Sequence, residues 1–478
     1  LNFGIKKLYI DGLLTESANG KYHEVICPAD EQNIAQIAWA TEADTQKTLE
    51  AAQNGFEYWS KLPVEERTEW IDKLRNIIID NSKLLRESIM YEMGKVWEGT
   101  EEDLKSIIDS LKYYSNEIKN RHEISIEDRD GTHKHSIMHQ PLGVVVAFLA
   151  YNFPLLNLGF KLGPALAAGC SIIIKPSEFS PLSAYILGSL CKEIDFPKGV
   201  INIICGDTEE VGIPLCKSTI PKMITMIGST ETAQKLVAQS IDTSIKRFSM
   251  ECGGNAPFIV FEDADISLAV AHGTALKIGN AGQICVAPNR FYVQESVADK
   301  FIQELVGKFE NIRLGFGKQN KPEMGPLANK QSVTKIRDIV NEAVKQGGEV
   351  LIGGKPYGEV GYYFQPTVIR LEDKNATILQ QEIFGPIAII SSFTSIDEVI
   401  HMANDTEAGL ASYVYSTNEA TLALMTENLA FGEVHLNGFK YDIYLPHGGI
   451  KNSGIGVDCS TFALDDYLIK KRVTKALN

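Results

Sequence analysis

The stretch that decides the fold runs Gly143-Val144-Val145-Val146-Ala147-Phe148-Leu149-Ala150, then Tyr151-Asn152-Phe153-Pro154, then Leu158 to Ala168, then Ser171-Ile172-Ile173-Ile174-Lys175. From Pro141 to Pro176 the only charges are Lys161 and Lys175. A membrane span needs about 20 unbroken apolar residues, and Asn152, Pro154 and Pro164 interrupt any such run. The stretch divides instead into a β-rich run, a loop, a helical piece and a second β run. Strand, helix, strand is the unit of a parallel sheet.

The alternation extends outward from there. Ile201 to Cys205 and Met223 to Ile227 read as strands, Ser183 to Ile194 and Glu231 to Ser240 as helices. Together they predict an open α/β sheet of nucleotide-binding type. After Glu251 the pattern restarts, with strands near Phe258 to Phe261 and Phe291 to Val293. Helices are expected at Ile266 to Ile278, Ala298 to Asn311 and Lys330 to Gln346, making a second α/β domain. Towards the N-terminus, Lys7 to Leu13 and Glu24 to Cys27 read as short strands. Thr41, with Asp44 three places on, caps a helix to Lys61, and Pro63 opens another through Asp80. A third helical stretch, Leu84 to Tyr114, carries mixed charges that read as a solvated face. Between Ile118 and Gln140 the chain is polar, with Asp128-Arg129-Asp130-Gly131 as a turn inside a strand pair. The tail Leu468 to Val473 reads as a strand able to extend a neighbour's sheet.

Composition narrows the function classes. At 478 residues, 44% hydrophobic and 22% charged, the chain suits a soluble enzyme of several domains. A net charge of −15 argues against nucleic-acid or anionic-membrane partners, which call for a basic footprint. The 8 cysteines form no CxxC pair, so neither a zinc site nor a secreted disulfide framework is indicated, and a reducing, cytoplasmic setting is expected. The N-terminal residues lack the long apolar segment of a signal peptide.

Two segments carry candidate chemistry: Met250-Glu251-Cys252-Gly253-Gly254-Asn255-Ala256-Pro257 and Asn280-Ala281-Gly282-Gln283-Ile284-Cys285-Val286-Ala287-Pro288-Asn289. A thiolate is a strong nucleophile, and a nearby carboxylate can take a proton from the thiol or from water, which suits covalent chemistry on a carbonyl. The ordinary alternative makes Cys285 a buried apolar residue and Glu251 a solvated turn residue. No GxGxxG is present, since Gly315-Phe316-Gly317 and Gly454-Ile455-Gly456 both lack the third glycine. Gly228-Ser229-Thr230 follows a strand and opens a helix, where backbone N–H groups would face an anion such as pyrophosphate, or where Ser229 is simply an N-cap.

The paired segments resemble the signature of the NAD(P)-dependent aldehyde dehydrogenase superfamily, Glu-x-Gly-Gly followed by Gly-Gln-x-Cys. Further stretches fall in the family's order: Tyr151-Asn152-Phe153-Pro154, Lys175-Pro176-Ser177-Glu178, Gly228-Ser229-Thr230, Glu382-Ile383-Phe384-Gly385-Pro386, and Pro446-His447-Gly448-Gly449-Ile450-Lys451-Asn452-Ser453-Gly454. The resemblance implies an aldehyde dehydrogenase-like α/β fold of two open-sheet domains with a small β oligomerisation arm. Residues 1–118 and 141–250 would form the NAD-binding domain, 251–430 the catalytic domain, 119–140 and 462–478 the arm, and 431–461 a substrate loop returning to the NAD-binding domain. A homodimer or homotetramer is expected.

By the same resemblance Cys285 is the nucleophile, Glu251 activates water for thioester hydrolysis, and Asn152 with the Cys285 backbone N–H stabilises the oxyanion. Lys175 and Glu178 would hold the adenosine ribose, Gly228 and Ser229 the pyrophosphate, Glu382 the nicotinamide ribose, and Phe384 would bracket the ring. An acidic residue on the ribose favours NAD, with NADP as the alternative. Ala233 stands where the motif usually has glycine, and Cys252 where leucine is usual. Family members that pass the acyl group to coenzyme A typically lack the glutamate, so Glu251 points to water and a free acid.

Substrate contacts would come from Phe153, Phe160 and His447. Succinate-semialdehyde members carry arginines at the positions of Phe160 and Gly279, and both carboxylate clamps are missing here. His447, where many members have phenylalanine, looks like the lactaldehyde and glycolaldehyde dehydrogenases and favours a short, hydroxylated aldehyde. Succinate semialdehyde, with a cation such as Lys440 serving, and a broad-specificity enzyme are the alternatives. From other classes come a catalytically silent scaffold of the same fold and a thiol-redox sensor using Cys252 with Cys285.

Overall fold

The computed structural model describes residues 2–477. Its central sheet has eight strands, in the order Gly454–Ile455, Arg247–Glu251, Pro221–Ile227, Val144–Phe148, Ser171–Lys175, Ile201–Ile203, Leu8–Ile10, Leu13–Thr15. The five from Arg247–Glu251 to Ile201–Ile203 run parallel, and the outer strands pair antiparallel. Every residue of Val144–Phe148 is buried, as expected of a parallel strand covered on both faces. The chain moves from Val144–Phe148 to Ser171–Lys175 and Ile201–Ile203 on one side, then returns to place Pro221–Ile227 on the other. In such sheets a reversal of this kind marks the usual ligand position, at the carboxyl ends of the strands.

A seven-stranded sheet follows in the order Glu349–Ile352, Thr367–Arg370, Ile387–Phe393, Pro288–Gln294, Ala256–Val260, Ala411–Tyr415, Glu433–Leu436, parallel but for its first strand. Each sheet packs into its own large apolar cluster. A third, antiparallel sheet joins Leu468–Ala476 to His133–Pro141 and Ile124–Ile126. The tail strand therefore pairs within its own chain, and its far edge has no strand beside it among the described residues. No helix among the described residues is long and apolar enough to cross a membrane.

Local rules account for the helices that bring residues to the site. Thr41 and Asp44 form the expected capping box, with Thr41 Oγ1 accepting from Asp44 N at 3.3 Å and Asp44 Oδ2 accepting from Thr41 N at 3.0 Å. The helix Val64–Asp80 begins directly after Pro63.

The stretch from Leu84 to Tyr114 is not one helix. Gly94, at φ 65, ends Ser82–Met93 in the left-handed conformation, and Gly99–Glu117 starts anew. Nor are its charges all solvated. Glu92 is 1% exposed and accepts from Leu182 N at 2.6 Å and Ser183 N at 3.1 Å, at the start of the helix Leu182–Glu193. Asp103 Oδ1 accepts from Leu155 N and Leu156 N, both at 3.2 Å, and Lys95 Nζ lies 2.5 Å from its Oδ2. The helix Pro154–Ala168 has no side-chain cap from its own Phe153. A buried helix start needs acceptors for its orphan N–H groups, and carboxylates from a neighbouring helix supply them.

Candidate active site

Glu251 is the last residue of the strand Arg247–Glu251, and its carbonyl accepts from Gly228 N at 3.0 Å. At 4% exposure it is no solvated turn residue. Its Oε1 has no hydrogen-bond partner and lies 3.4 Å from His447 Nε2.

Cys285 follows a turn in which Asn280, Ala281 and Gly282 take φ values of 47, 54 and 71. Such consecutive left-handed residues store strain and persist only where surroundings hold them. Gln283 provides one such hold, donating from Nε2 to Asn280 O at 3.0 Å and accepting from Ala328 N at 2.9 Å. Two glycines make the close packing of this turn feasible. A Cβ on Gly282 would sit 2.2 Å from Gly385 O, and one on Gly254 would sit 2.3 Å from Cys285 O. Of the Gly-Gly after Cys252, Gly254 is thus the surface against which the cysteine turn rests, while a Cβ on Gly253 would sit 2.5 Å from Glu382 Oε2.

The thiol of Cys285 is half-buried and pushed up to about 12 by burial and by the Glu251 carboxylate, with a His447 hydrogen bond pulling the other way. His447 is itself moved well above the ordinary histidine range. Burial opposes its charge, but contacts with Cys285, Glu251 and Glu433 outweigh that. His447 Nδ1 is 2.7 Å from Glu433 Oε1, and His435 Nε2 is 3.2 Å from Glu433 Oε2. Burial raises the Glu433 carboxyl, yet its two histidines hold it at about 2.

Asn152 does not cap the helix after it. Its Nδ2 donates to Gln283 O at 3.0 Å, and its Oδ1 accepts from Asn157 Nδ2 at 3.2 Å, which fixes the amide's orientation. One further N–H of that amide has no protein acceptor among the described residues. A cavity of about 750 Å³ is lined by Asn152, Phe153, Phe160, Glu251, Cys285 and His447 together. At its rim Lys105 is paired with Asp109, and Lys440 Nζ donates to Tyr444 Oη at 2.6 Å.

Of the remaining candidates, Lys175, Glu178, Gly228 and Ser229 lie at or just beyond strand ends of the central sheet, and Glu382 and Phe384 just before the strand Ile387–Phe393 of the other. Lys175 ends the strand Ser171–Lys175, with its Nζ 3.9 Å from Glu178 Oε2. Gly228 and Ser229 follow Pro221–Ile227, and Ser229 Oγ accepts from Thr232 N at 3.2 Å as the N-cap of the helix Thr230–Ile241. Ala233 is 7% exposed and belongs to the main core, so its methyl packs inward. Glu382 joins the two groups: its Oε1 accepts from Gly254 N at 3.1 Å, and burial, with a contribution from Glu251, raises its carboxyl to about 7. Phe384 has φ 43, and its ring meets Tyr151 edge-on at 6.0 Å. Cys252 is 2% exposed and its thiol is pushed up to about 12, first by burial, which makes it a core residue.

Sequence reasoning missed Glu433, His435, Gln283 and Asn157. Glu433 and His435 alternate along the strand Glu433–Leu436, and that period of two was the available signal.

Comparisons with known proteins identify the family. The aldehyde dehydrogenase family profile matches residues 14–473. The chain is 34% identical over 465 residues to a mitochondrial succinate-semialdehyde dehydrogenase of Oryza sativa subsp. japonica, covering 97% of this chain and 88% of that one. It is 32% identical over 469 residues to a 3-sulfolactaldehyde dehydrogenase of Pseudomonas putida, covering 98% and 96%. The crystal structure of Staphylococcus aureus betaine aldehyde dehydrogenase in complex with NAD+ superposes with a TM-score of 0.95 at 32% identity, over 98% of this chain and 94% of that one. The chain belongs to the aldehyde dehydrogenase family.

Proposed function

We propose that this aldehyde dehydrogenase oxidises a short, hydroxylated aldehyde to its carboxylic acid with NAD, through a covalent adduct on Cys285. The observation that carries the reading is that Cys285, Glu251, His447 and the oriented amide of Asn152 line one cavity, the first three with polar atoms within 4.8 Å of one another. The Cys285 thiol gives its proton to His447 or Glu251 and attacks the carbonyl carbon. Charge then develops on the substrate oxygen, where the unengaged N–H of Asn152 and the Cys285 backbone N–H receive it. After oxidation of the adduct, Glu251 takes a proton from water, which attacks the thioester and frees the acid.

The residues at the strand ends suit a dinucleotide. The helix start at Thr230 faces the crevice where the strand order reverses, and Glu178 beside Lys175 offers an acceptor and a donor to a ribose diol. Bound NAD supplies the hydride acceptor, and Glu178 disfavours a 2′-phosphate. Glu382 and Phe384 would hold the nicotinamide half. The arm strands His133–Pro141 and Leu468–Ala476 are assigned to a homodimer or homotetramer contact. The unpaired cysteines suit a reducing compartment such as the cytoplasm.

For the substrate, His447 and Glu433 put a polar pair beside the nucleophile, while Phe160 and Gly279 line the cavity where carboxylate clamps would stand. A hydroxyl next to the aldehyde carbon matches such a pair, as a lactaldehyde would. Succinate semialdehyde is the second reading, favoured by Lys440 at the cavity rim and by the identity to the rice enzyme. The deciding assay follows reduced-nicotinamide absorbance with glycolaldehyde, lactaldehyde, propanal, benzaldehyde and succinate semialdehyde, with Cys285→Ala as control. Preference for the hydroxylated aldehydes with NAD is expected. Preference for succinate semialdehyde overturns the substrate reading, and turnover surviving in Cys285→Ala overturns the mechanism.

A further inference from the structure

We infer that Glu251, Cys285 and His447 also form a zinc-binding site, and that one Zn²⁺ held there reversibly blocks the enzyme. Ligand atoms of these three residues all lie within 4.8 Å of one another, the one such group of three among the described residues. His447 Nε2 and Glu251 Oε1 stand 3.4 Å apart. In a tetrahedral site with metal bonds of about 2.0–2.3 Å, neighbouring donor atoms are roughly 3.3–3.8 Å apart. Small side-chain rotations therefore close the group around an ion.

A second observation is independent of that spacing. Glu251 is 4% exposed, and its Oε1, facing His447, has no hydrogen-bond partner. A buried carboxylate oxygen without a hydrogen bond is costly, and a cation compensates it: His447 at 3.4 Å when the site is empty, and the metal ion when it is filled.

The support around the histidine is also that of a metal ligand. Glu433 Oε1 accepts from His447 Nδ1 at 2.7 Å, which presents the Nε2 lone pair to the site. Carboxylates so placed orient the imidazole and raise its basicity toward a metal. Thiolate and imidazole select zinc over magnesium or calcium. Three protein ligands leave the fourth position open to the cavity, where a water would sit. The ligands come from three distant segments, so cysteine spacing could not reveal them. Binding forms a Zn–S bond and releases the Cys285 thiol proton, together with any proton on His447 Nε2, to solvent. Nothing is oxidised or reduced. The thiolate and Glu251 are then both unavailable to an aldehyde.

The site lies in the cavity assigned to the reaction, so its test reads the metal directly. The full-length protein, freed of metal with a chelator, is titrated with Co²⁺ and followed by the thiolate-to-cobalt charge-transfer and tetrahedral d–d bands. Zn²⁺ is measured by competition with a chromophoric chelator. The expected result is one ion per chain, loss of the charge-transfer band in Cys285→Ala, and zinc affinity about 10–100-fold weaker in Glu433→Gln. Cys252→Ser should titrate as the parent does. A parent protein without the charge-transfer band, or a Cys285→Ala titration identical to it, overturns the site. Zinc should abolish aldehyde-dependent NAD reduction, and a chelator should restore it. Binding without inhibition overturns the block. A metal-free protein that binds Co²⁺ through Cys285 yet oxidises no aldehyde would refute the proposed reaction and leave the metal site standing.

Discussion

Replacing Asn152 by alanine tests the oxyanion assignment most directly, because the structure separates its effect on the reaction from its effect on folding. The side chain has two N–H bonds. One goes to Gln283 O at 3.0 Å, and Asn157 holds the amide oxygen at 3.2 Å so that the nitrogen cannot flip away from the cavity wall. Losing one preorganised oxyanion donor costs about 10²–10³ in kcat, roughly 2.7–4 kcal/mol of transition-state stabilisation. The folding cost is smaller. An orphaned buried carbonyl costs about 1–3 kcal/mol, but Gln283 O also receives Asn280 Nδ2 at 3.3 Å and is not orphaned. About 1 kcal/mol is therefore expected, and a fall in Tm of about 1 °C for a chain of 478 residues. Steady-state NADH formation and a thermal melt on the same sample make the comparison. The interaction exists only once charge develops, so kcat and kcat/KM should fall together. A loss of less than about tenfold, or 1.4 kcal/mol, would sink the assignment. So would a loss confined to KM. Asn157→Ala, which frees the amide to rotate, should give an intermediate loss.

Three further changes follow from the packing. Lys161 is fully buried against Asp458, with Nζ 2.6 and 2.7 Å from the two carboxylate oxygens; Asp458→Asn should destabilise by about 3–5 kcal/mol in urea unfolding, and a change below about 1 kcal/mol would contradict the pairing. Gly254→Ala would place a Cβ 2.3 Å from Cys285 O, so turnover should collapse while NAD binding, read by fluorescence, survives; full activity would show that the cysteine turn has slack the structure denies. Removing residues 468–478 strips the strand paired along His133–Pro141, and sedimentation should shift toward the monomer, whereas an unchanged profile would clear the arm of that role.

Much of the fold was legible because its signals are local. The run Ser171–Lys175 and the helix Ile266–Ile278 were read with the bounds they have, since apolar period and flanking breakers agree there. The strand Arg247–Glu251 went unread because Arg247, Phe248 and Ser249 offer no apolar run; sheet pairing with Pro221–Ile227 imposes its conformation. The helix break at Gly94 was visible as a lone glycine, a weak signal by itself. The inward turn of Glu92, Lys95 and Asp103 was not visible at all. The two carboxylates meet helix starts at Leu155 and Leu182, far along the chain, Lys95 pairs with Asp103, and no periodicity marks a carboxylate that caps another helix.

The site divides along the same line. Cys285, Glu251 and Asn152 were nominated by a motif, and the motif says nothing of why glycines accompany them. Space is the reason: a side chain at Gly254 would run into the backbone of Cys285, and one at Gly282 into the backbone of Gly385, so either would displace the turn that carries Cys285. His447 was nominated as a substrate contact, yet its neighbours give it more to do. Its ring lies between Glu433 on one nitrogen and Glu251 with Cys285 on the other, so Nδ1 donates to Glu433 while one proton on the opposite side is shared among the thiol, the imidazole Nε2 and Glu251. A phenylalanine at that position would leave the thiol and Glu251 to share that proton between them. In the proposed reaction the histidine would therefore make the surroundings of Cys285 differ from those with phenylalanine at that position. That difference lies in charge as much as in the fit of a substrate hydroxyl.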